Sequence, residues 1–356
     1  MQFLQRLRYN PVMWKYLSIL ILIAPAAFAA RDQTEHWTLN FYVENDLFSE
    51  TDQDYTSGIR ASWVSPDLAD YLEDPALPRW VRSINKRLTF FHQTKEGLKR
   101  NAVTSIGQTI YTPQDLTRTD LIEDDRPYAG WLFLSMAYQT RNDDQLDTLE
   151  ARFGVVGPLA LGKEGQDFIH DLRGFDKFLG WHNQLKNEPG VVFLWEHKRK
   201  HKHIYNPSSR FGFDMIGHSG ISLGNVRTYL NLGAELRLGW AIPDDFGTSA
   251  LRPGGDNATP DVIWDPRQTV DRSWGLHGFV SFDLRLVGRD IFLDGNTFRE
   301  SHSVAKESFV LDGAVGFSII YGGVKLSYAQ VFRSKEFSTQ NHSHSYGSFA
   351  FSYTFR

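Results

Sequence analysis

Ser348-Phe349-Ala350-Phe351-Ser352-Tyr353-Thr354-Phe355, near the end of the chain, alternates small or polar residues with large aromatic ones at a period of two. Successive side chains of a β-strand point to opposite faces, so this segment reads as a strand with an aromatic face and a small polar face. The pattern recurs upstream. Leu230, Leu232, Ala234, Leu236, Leu238 and Trp240 alternate with Asn231, Gly233, Glu235, Arg237 and Gly239. Trp274, Leu276, Val280, Phe282, Leu284 and Leu286 stand opposite His277, Ser281, Asp283 and Arg285. Leu149, Ala151, Phe153 and Val155 oppose Thr148, Glu150 and Arg152. Runs of roughly ten residues with one apolar and one polar or charged face belong to strands that cross a bilayer, lipid outside and a polar lumen inside.

Twelve such runs are predicted, near 37–46, 55–65, 101–112, 130–141, 145–157, 190–201, 209–221, 226–241, 273–287, 308–320, 322–333 and 343–355. An even number of strands closes into a barrel without exposed edges, as lipid requires. The expected fold is all-β: a twelve-stranded antiparallel transmembrane β-barrel with a short helix in an extracellular loop. A soluble β-sandwich also alternates, but its strands are shorter, about 5–6 residues.

Composition agrees. Aromatic residues make up 14% of the 356, and there are 29 glycines against 4 methionines, which suits strands better than a helical bundle. A formal charge of -4 speaks against a nucleic-acid binder, which carries a cationic excess. The absence of cysteine excludes disulfides, a thiolate nucleophile and Cys-ligated metals. Residues 1–29 read as a signal peptide: Arg6, Arg8 and Lys15 precede the short apolar run Tyr16–Pro25, and Ala27-Phe28-Ala29 gives the small-x-small cleavage pattern. Residues 30–356 form the barrel domain.

The remaining pieces sort by topology. With a periplasmic N-terminus, the odd-to-even connections are extracellular. They carry Glu44-Asn45-Asp46, Asp52, Asp54, the stretch Arg118–Tyr128 and a segment, 162–178, with Phe168, Ile169, Leu172 and Phe175 at helical spacing. Gln166 and His170 stand four apart on that helix, on one face. Asp46 and Thr56 have the parity of the non-lipid face, whereas Asn45 needs a strand end or a bulge to join them. Clustered Asn, Asp and Thr oxygens without sulfur suit a hard cation, above all Ca²⁺, although a solvated acidic turn has the same composition. Gly217–Ile221 is an incomplete G-x-S-x-G elbow, and no H-E-x-x-H or P-loop occurs. The basic run His197–His203 is expected in a solvated periplasmic turn. The stretches 66–98 and 242–272 are long for periplasmic turns and are expected either to dock as subdomains or to hide a misplaced strand.

Several short motifs recur in order: Glu44-Asn45-Asp46-Leu47-Phe48, Asp54-Tyr55-Thr56-Ser57-Gly58, Tyr111-Thr112-Pro113, Asp124-Asp125-Arg126-Pro127-Tyr128-Ala129-Gly130-Trp131, Gly157-Pro158, Gln166-x-x-x-His170 and Gly180-Trp181-x-x-Gln184. Together they resemble the LpxR family of outer-membrane lipid A 3'-O-deacylases. The resemblance implies a twelve-stranded barrel and Ca²⁺-dependent hydrolysis of the 3'-linked acyloxyacyl ester of lipid A in the Gram-negative outer membrane. It implies that Asn45 and Asp46 match the family's essential pair, with the metal held there. Thr56 matches the Thr of the second strand, and Gln166 and His170 match its Gln-x-x-x-His. Arg118 falls near the family's catalytic Lys and Asp176 near the Glu that follows its His; both are departures. Arg cannot be deprotonated but can hold a phosphate in a bidentate way.

On this expectation His170 is a general base on water, oriented by Gln166, Ca²⁺ stabilises the oxyanion, and Arg118 or Arg126 holds a lipid A phosphate. Two rivals are another outer-membrane lipid esterase, such as a phospholipase with a catalytic serine, and a non-catalytic structural or porin-like barrel.

Overall fold

The computed structural model describes residues 36–45, 54–88, 97–206, 209–248, 267 and 274–355. The signal peptide expected at 1–29, and Asp46 and Asp52, lie outside the described residues. Twelve strands follow in order: β1 (Trp37–Asn45), β2 (Asp54–Val64), β3 (Lys99–Thr112), β4 (Ala129–Arg141), β5 (Gln145–Val156), β6 (Glu188–Tyr205), β7 (Phe211–Gly224), β8 (Arg227–Trp240), β9 (Trp274–Asp290), β10 (Phe309–Tyr321), β11 (Val324–Arg333) and β12 (His344–Phe355). Each pairs antiparallel with its neighbours in sequence, and β1 pairs with β12, so the sheet is a closed barrel. No helix among the described residues is long and apolar enough to cross a membrane; the strands do that.

The alternation resolves into wall and lumen. On β8, Leu230, Leu232, Leu236 and Leu238 are exposed on the outside, while Asn231, Glu235 and Arg237 are buried inside. The inward charges are paired, because an isolated charge in a low-dielectric interior is expensive. Glu150 lies 2.8 Å from Arg152 and 3.4 Å from Arg60. Asp312 takes Arg285 at 2.7 Å and Arg333 at 2.8 Å. Between these groups is a cavity of about 130 Å³, lined among others by Glu44, Thr109, Trp131, Arg227 and Asp283.

The basic run departs from expectation. It is not a turn: β6 continues through it to Tyr205. Lys198 points inward beside Glu196 at 3.4 Å, and His197 Nδ1 lies 3.0 Å from Asp147 across the β5–β6 pair. Inward lysines look like a solvated turn in sequence because the lumen is itself polar.

The described parts of the two long connections at the end carrying the chain termini are docked. After β2, residues 65–88 fold back on the barrel and include helix α1 (Arg79–Asn85), with Leu68, Tyr71, Leu77 and Val81 forming a small core against Ala102, Met136 and Tyr138. After β8, the chain turns into the lumen, where buried Asp245 accepts a bond from Lys325 Nζ at 2.6 Å and pairs with Arg237. Helix α2 (Gly162–Arg173) and the four-residue helix α3 (Ile291–Asp294) belong to the opposite end, with connections 46–53, 113–128, 157–187, 225–226, 291–308 and 334–343.

Candidate active site on the outer wall of the barrel

Thr109, Tyr111 and Trp131 line the lumen cavity, so Gln108, Ile110 and Gly130, one residue away on β3 and β4, face outward. Helix α2 packs on that outward face. The Gln108 amide donates to the carbonyls of Ala160 and Leu161 at 2.6 and 3.1 Å, in the turn that starts the helix. Ile110 packs with Tyr128, Phe178 and Trp181, which belong to the connections flanking the helix. Residues paired across strands share a face. The register Asn45↔Ser57↔Ile110↔Gly130 is therefore a row along the outside of the wall. At about 4.8 Å per strand, Asn45 lies roughly 10 Å along the row from Ile110.

For Asn45 this placement agrees with the parity read from the sequence. Asn45 has the outward parity of β1 and is nonetheless buried. The bulge anticipated from the sequence sits on β2: the register shifts between Tyr55 and Ser57, with Thr56 as the extra residue. The Thr56 and Asp54 side chains lie outside the described residues.

The helix carries Gln166 and His170. Gly174 ends α2 at φ 76°, and its N–H returns to the His170 carbonyl at 2.7 Å. A left-handed residue at this position reverses the chain, which is why glycine is favoured there. The reversal brings the main-chain carbonyl of Asp176 to 2.5 Å from His170 Nδ1. A carbonyl only accepts, so Nδ1 carries the proton, and in the neutral ring Nε2 holds the acceptor lone pair. The rings of Phe175 and Phe178 flank the imidazole edge-on. His170 is 1% exposed.

Gln166, one turn earlier, is also buried, and its Oε1 accepts from Trp181 Nε1 at 3.0 Å. The indole only donates, which fixes the amide orientation and leaves the Gln166 Nε2 donor with no partner among the described residues. From the sequence Gln166 is expected to orient His170. The group on His170 Nδ1 is the Asp176 carbonyl, and Gln166 is itself oriented by Trp181. The Asp176 carboxylate is on the exposed side of the loop.

Arg118 sits in the 113–128 connection, which runs beside the segment after α2: Leu179 N donates to Leu116 O at 3.0 Å and Asn183 Nδ2 to Thr119 O at 2.9 Å. Its guanidinium is partly exposed and bonded to Asp120, Nε at 2.9 Å. Arg126 is placed elsewhere. It is buried at the lumen mouth, 2.7 Å from Glu336 and over the Tyr111 and Phe337 rings, away from Gln166 and His170. Burial pushes the Tyr128 hydroxyl up to about 12, so it is neutral at physiological pH. Among the described residues no three His, Asp or Glu side chains converge as a cation cage. The Asn45 and Asp46 donor set is all oxygen, which in type suits a hard cation.

A family model described as "Outer membrane protein LpxR" matches residues 16–355, nearly the whole chain. The chain belongs to the LpxR family. Among solved structures, "LpxR from Salmonella typhimurium" is similar over 89% of this chain and 99% of that one, at a TM-score of 0.65 and 19% identity. At that identity the likeness speaks for the LpxR fold alone. The β domain of the Bordetella autotransporter BrkA aligns over 90% of this chain and 98% of its own at a TM-score of 0.41 and 8% identity. A search of curated proteins finds no match. As an LpxR-family β-barrel the chain resides in the outer membrane, with its lipid-facing leucines and aromatics in the bilayer.

Proposed function

We propose that this LpxR-family barrel is a lipid A deacylase that hydrolyses the 3'-linked acyloxyacyl ester, with His170 as general base. One observation carries the proposal: the helix bearing a tautomer-fixed His170 and a Gln166 whose Nε2 has no partner among the described residues is docked on the outer wall of the barrel. A site in the lumen would face water; a site on the wall faces the leaflet in which lipid A sits.

In this mechanism His170 Nε2 removes a proton from water as the oxygen attacks the ester carbonyl, and the Asp176 carbonyl stabilises the imidazolium through Nδ1–H. The Gln166 amide donates to the oxyanion that forms. As the tetrahedral intermediate collapses, the imidazolium returns its proton to the departing sugar oxygen, releasing the acyloxyacyl carboxylate and a free 3'-hydroxyl. Ca²⁺, held by Asn45 and Asp46 when bound, would supply Lewis-acid polarisation of the ester carbonyl. Arg118 would exchange its exposed Asp120 partner for a lipid A phosphate, because guanidinium binds phosphate oxygens in pairs. The acyl chains would lie along the outward apolar surface near Leu134 and Phe153, both exposed.

A porin-like role has less support, because buried Asp245 in the lumen bridges Arg237 of β8 and Lys325 of β11, and Arg60 of β2 reaches Glu150 of β5. The test is His170→Ala in detergent-folded protein. It should run as a folded barrel and release no acyl chain from lipopolysaccharide; full activity would remove His170 from the mechanism.

A further inference from the structure

Helix α1 carries a surface that the deacylase reading does not use. Its inward side chains, Val81 and Asn85, are buried in the small core formed by residues 65–88. Its outward side presents Trp80 and Ile84, 62% and 49% exposed, and the following turn adds Leu88. These three are spaced by four, so they form one apolar stripe. Arg79, Ser83 and Arg87, also spaced by four and exposed, run beside the stripe. Lys86 is engaged with Glu73 at 2.7 Å, and Arg82 donates to the Glu73 carbonyl at 3.0 Å. Among the described residues Arg79 and Arg87 have no carboxylate partner.

The position of the helix says what covers this stripe. The core beneath α1 rests on Ala102, Met136 and Tyr138. On β3 and β4 these alternate with the inward residues Asn101, Val103, Ala137 and Gln139, so they belong to the outer wall. Leu134, two residues from Met136 on the same face, is half exposed and lipid-facing. The helix therefore sits on the outside of the barrel, one residue pair beyond the apolar belt, at the end that carries the chain termini. A Trp-containing apolar stripe continuous with the lipid-facing surface and bordered by unpaired arginines matches a helix lying in a membrane interface.

We propose that α1 is an interfacial anchor that inserts Trp80, Ile84 and Leu88 among the phospholipids of the periplasmic leaflet and binds their anionic headgroups through Arg79 and Arg87. The barrel is thereby held at a fixed depth, which fixes the height of the outer-wall site at the other end. The proposal does not depend on the deacylase reading, and its test uses no activity.

The chain has no cysteine, so single cysteines can be placed at will. Ile84→Cys, and Asp143→Cys in the exposed β4–β5 turn at the same end as a control, are labelled with a fluorophore in the full-length protein. The barrels are folded into nanodiscs of phosphatidylcholine, with or without phosphatidylglycerol. The label at 84 should be quenched by headgroup-depth nitroxide lipid and shielded from iodide, while that at 143 behaves oppositely. Quenching at 84 should rise with phosphatidylglycerol, and Arg79→Gln should raise the mole fraction needed by about fivefold. Equal iodide access at 84 and 143 would overturn the proposal, leaving the stripe to water or to a protein partner. Quenching indifferent to phosphatidylglycerol would overturn the headgroup recognition.

Discussion

Gly130 on the outer wall and Gly162 at the start of α2 touch so closely that a β-carbon built on either lies 3.1 Å from the other's Cα. The helix can lie flat on the barrel because neither residue has a side chain. This contact sets the height of His170, two turns further along the helix, over the row that contains Asn45.

Gly162→Leu should therefore lift the start of the helix without disturbing strand pairing. A shift of about an ångström in the reacting groups costs on the order of a hundredfold in rate. Acyl release from lipopolysaccharide should fall by about that much, while the heat-modifiable gel mobility of the folded barrel stays unchanged. Unchanged activity would show that the contact does not position the site.

Trp181→Phe keeps the packing against Ile110 and Tyr128 and removes the N–H that fixes Gln166. The amide is then free to turn its oxygen toward the substrate. Loss of one net hydrogen bond, about 1 kcal/mol, predicts roughly a fivefold fall in kcat with KM little changed. Steady-state kinetics on purified lipid A checks the split.

Glu336 connects stability to pH. Burial opposes its ionisation, but the Arg126 and Arg333 guanidiniums beside it prevail and hold its carboxyl well below the usual carboxylate range. A depressed carboxyl contributes stability that is full above its unfolded value, near about 4.3, and is lost as pH falls further toward its folded value. Glu336→Gln should destabilise the barrel by about 3 kcal/mol at neutral pH and flatten its acid sensitivity below about pH 4. Urea titrations at several pH values read both effects.

Leu232 tests the membrane face. It is 62% exposed in the middle of β8, where lipid is its solvent. Leu232→Arg should cost about 2–4 kcal/mol in the folding equilibrium in vesicles, and Leu232→Phe close to nothing. Equal tolerance of both would place that face in water.

The strands were legible because lumen and lipid differ so sharply in polarity. β12 and β8 show the alternation in every residue, and the twelve expected runs coincide with the twelve strands apart from their ends. The same contrast misled at β6, where inward Lys198 made a strand look like a turn. Gln166 and His170 were visible as a helical pair. Their surroundings were not, since they depend on contacts that leave no periodic trace: the Asp176 main-chain carbonyl, the Trp181 indole and the glycine pair under α2. The β2 bulge at Thr56 likewise leaves no periodic trace.

Mass spectrometry of lipid A after incubation with the detergent-folded protein, with Ca²⁺ and then with chelator, tests the central claim most directly. The account predicts loss of one 3'-linked acyloxyacyl mass with Ca²⁺ and none with chelator. An unchanged spectrum in both conditions, from protein shown to be folded, would contradict it.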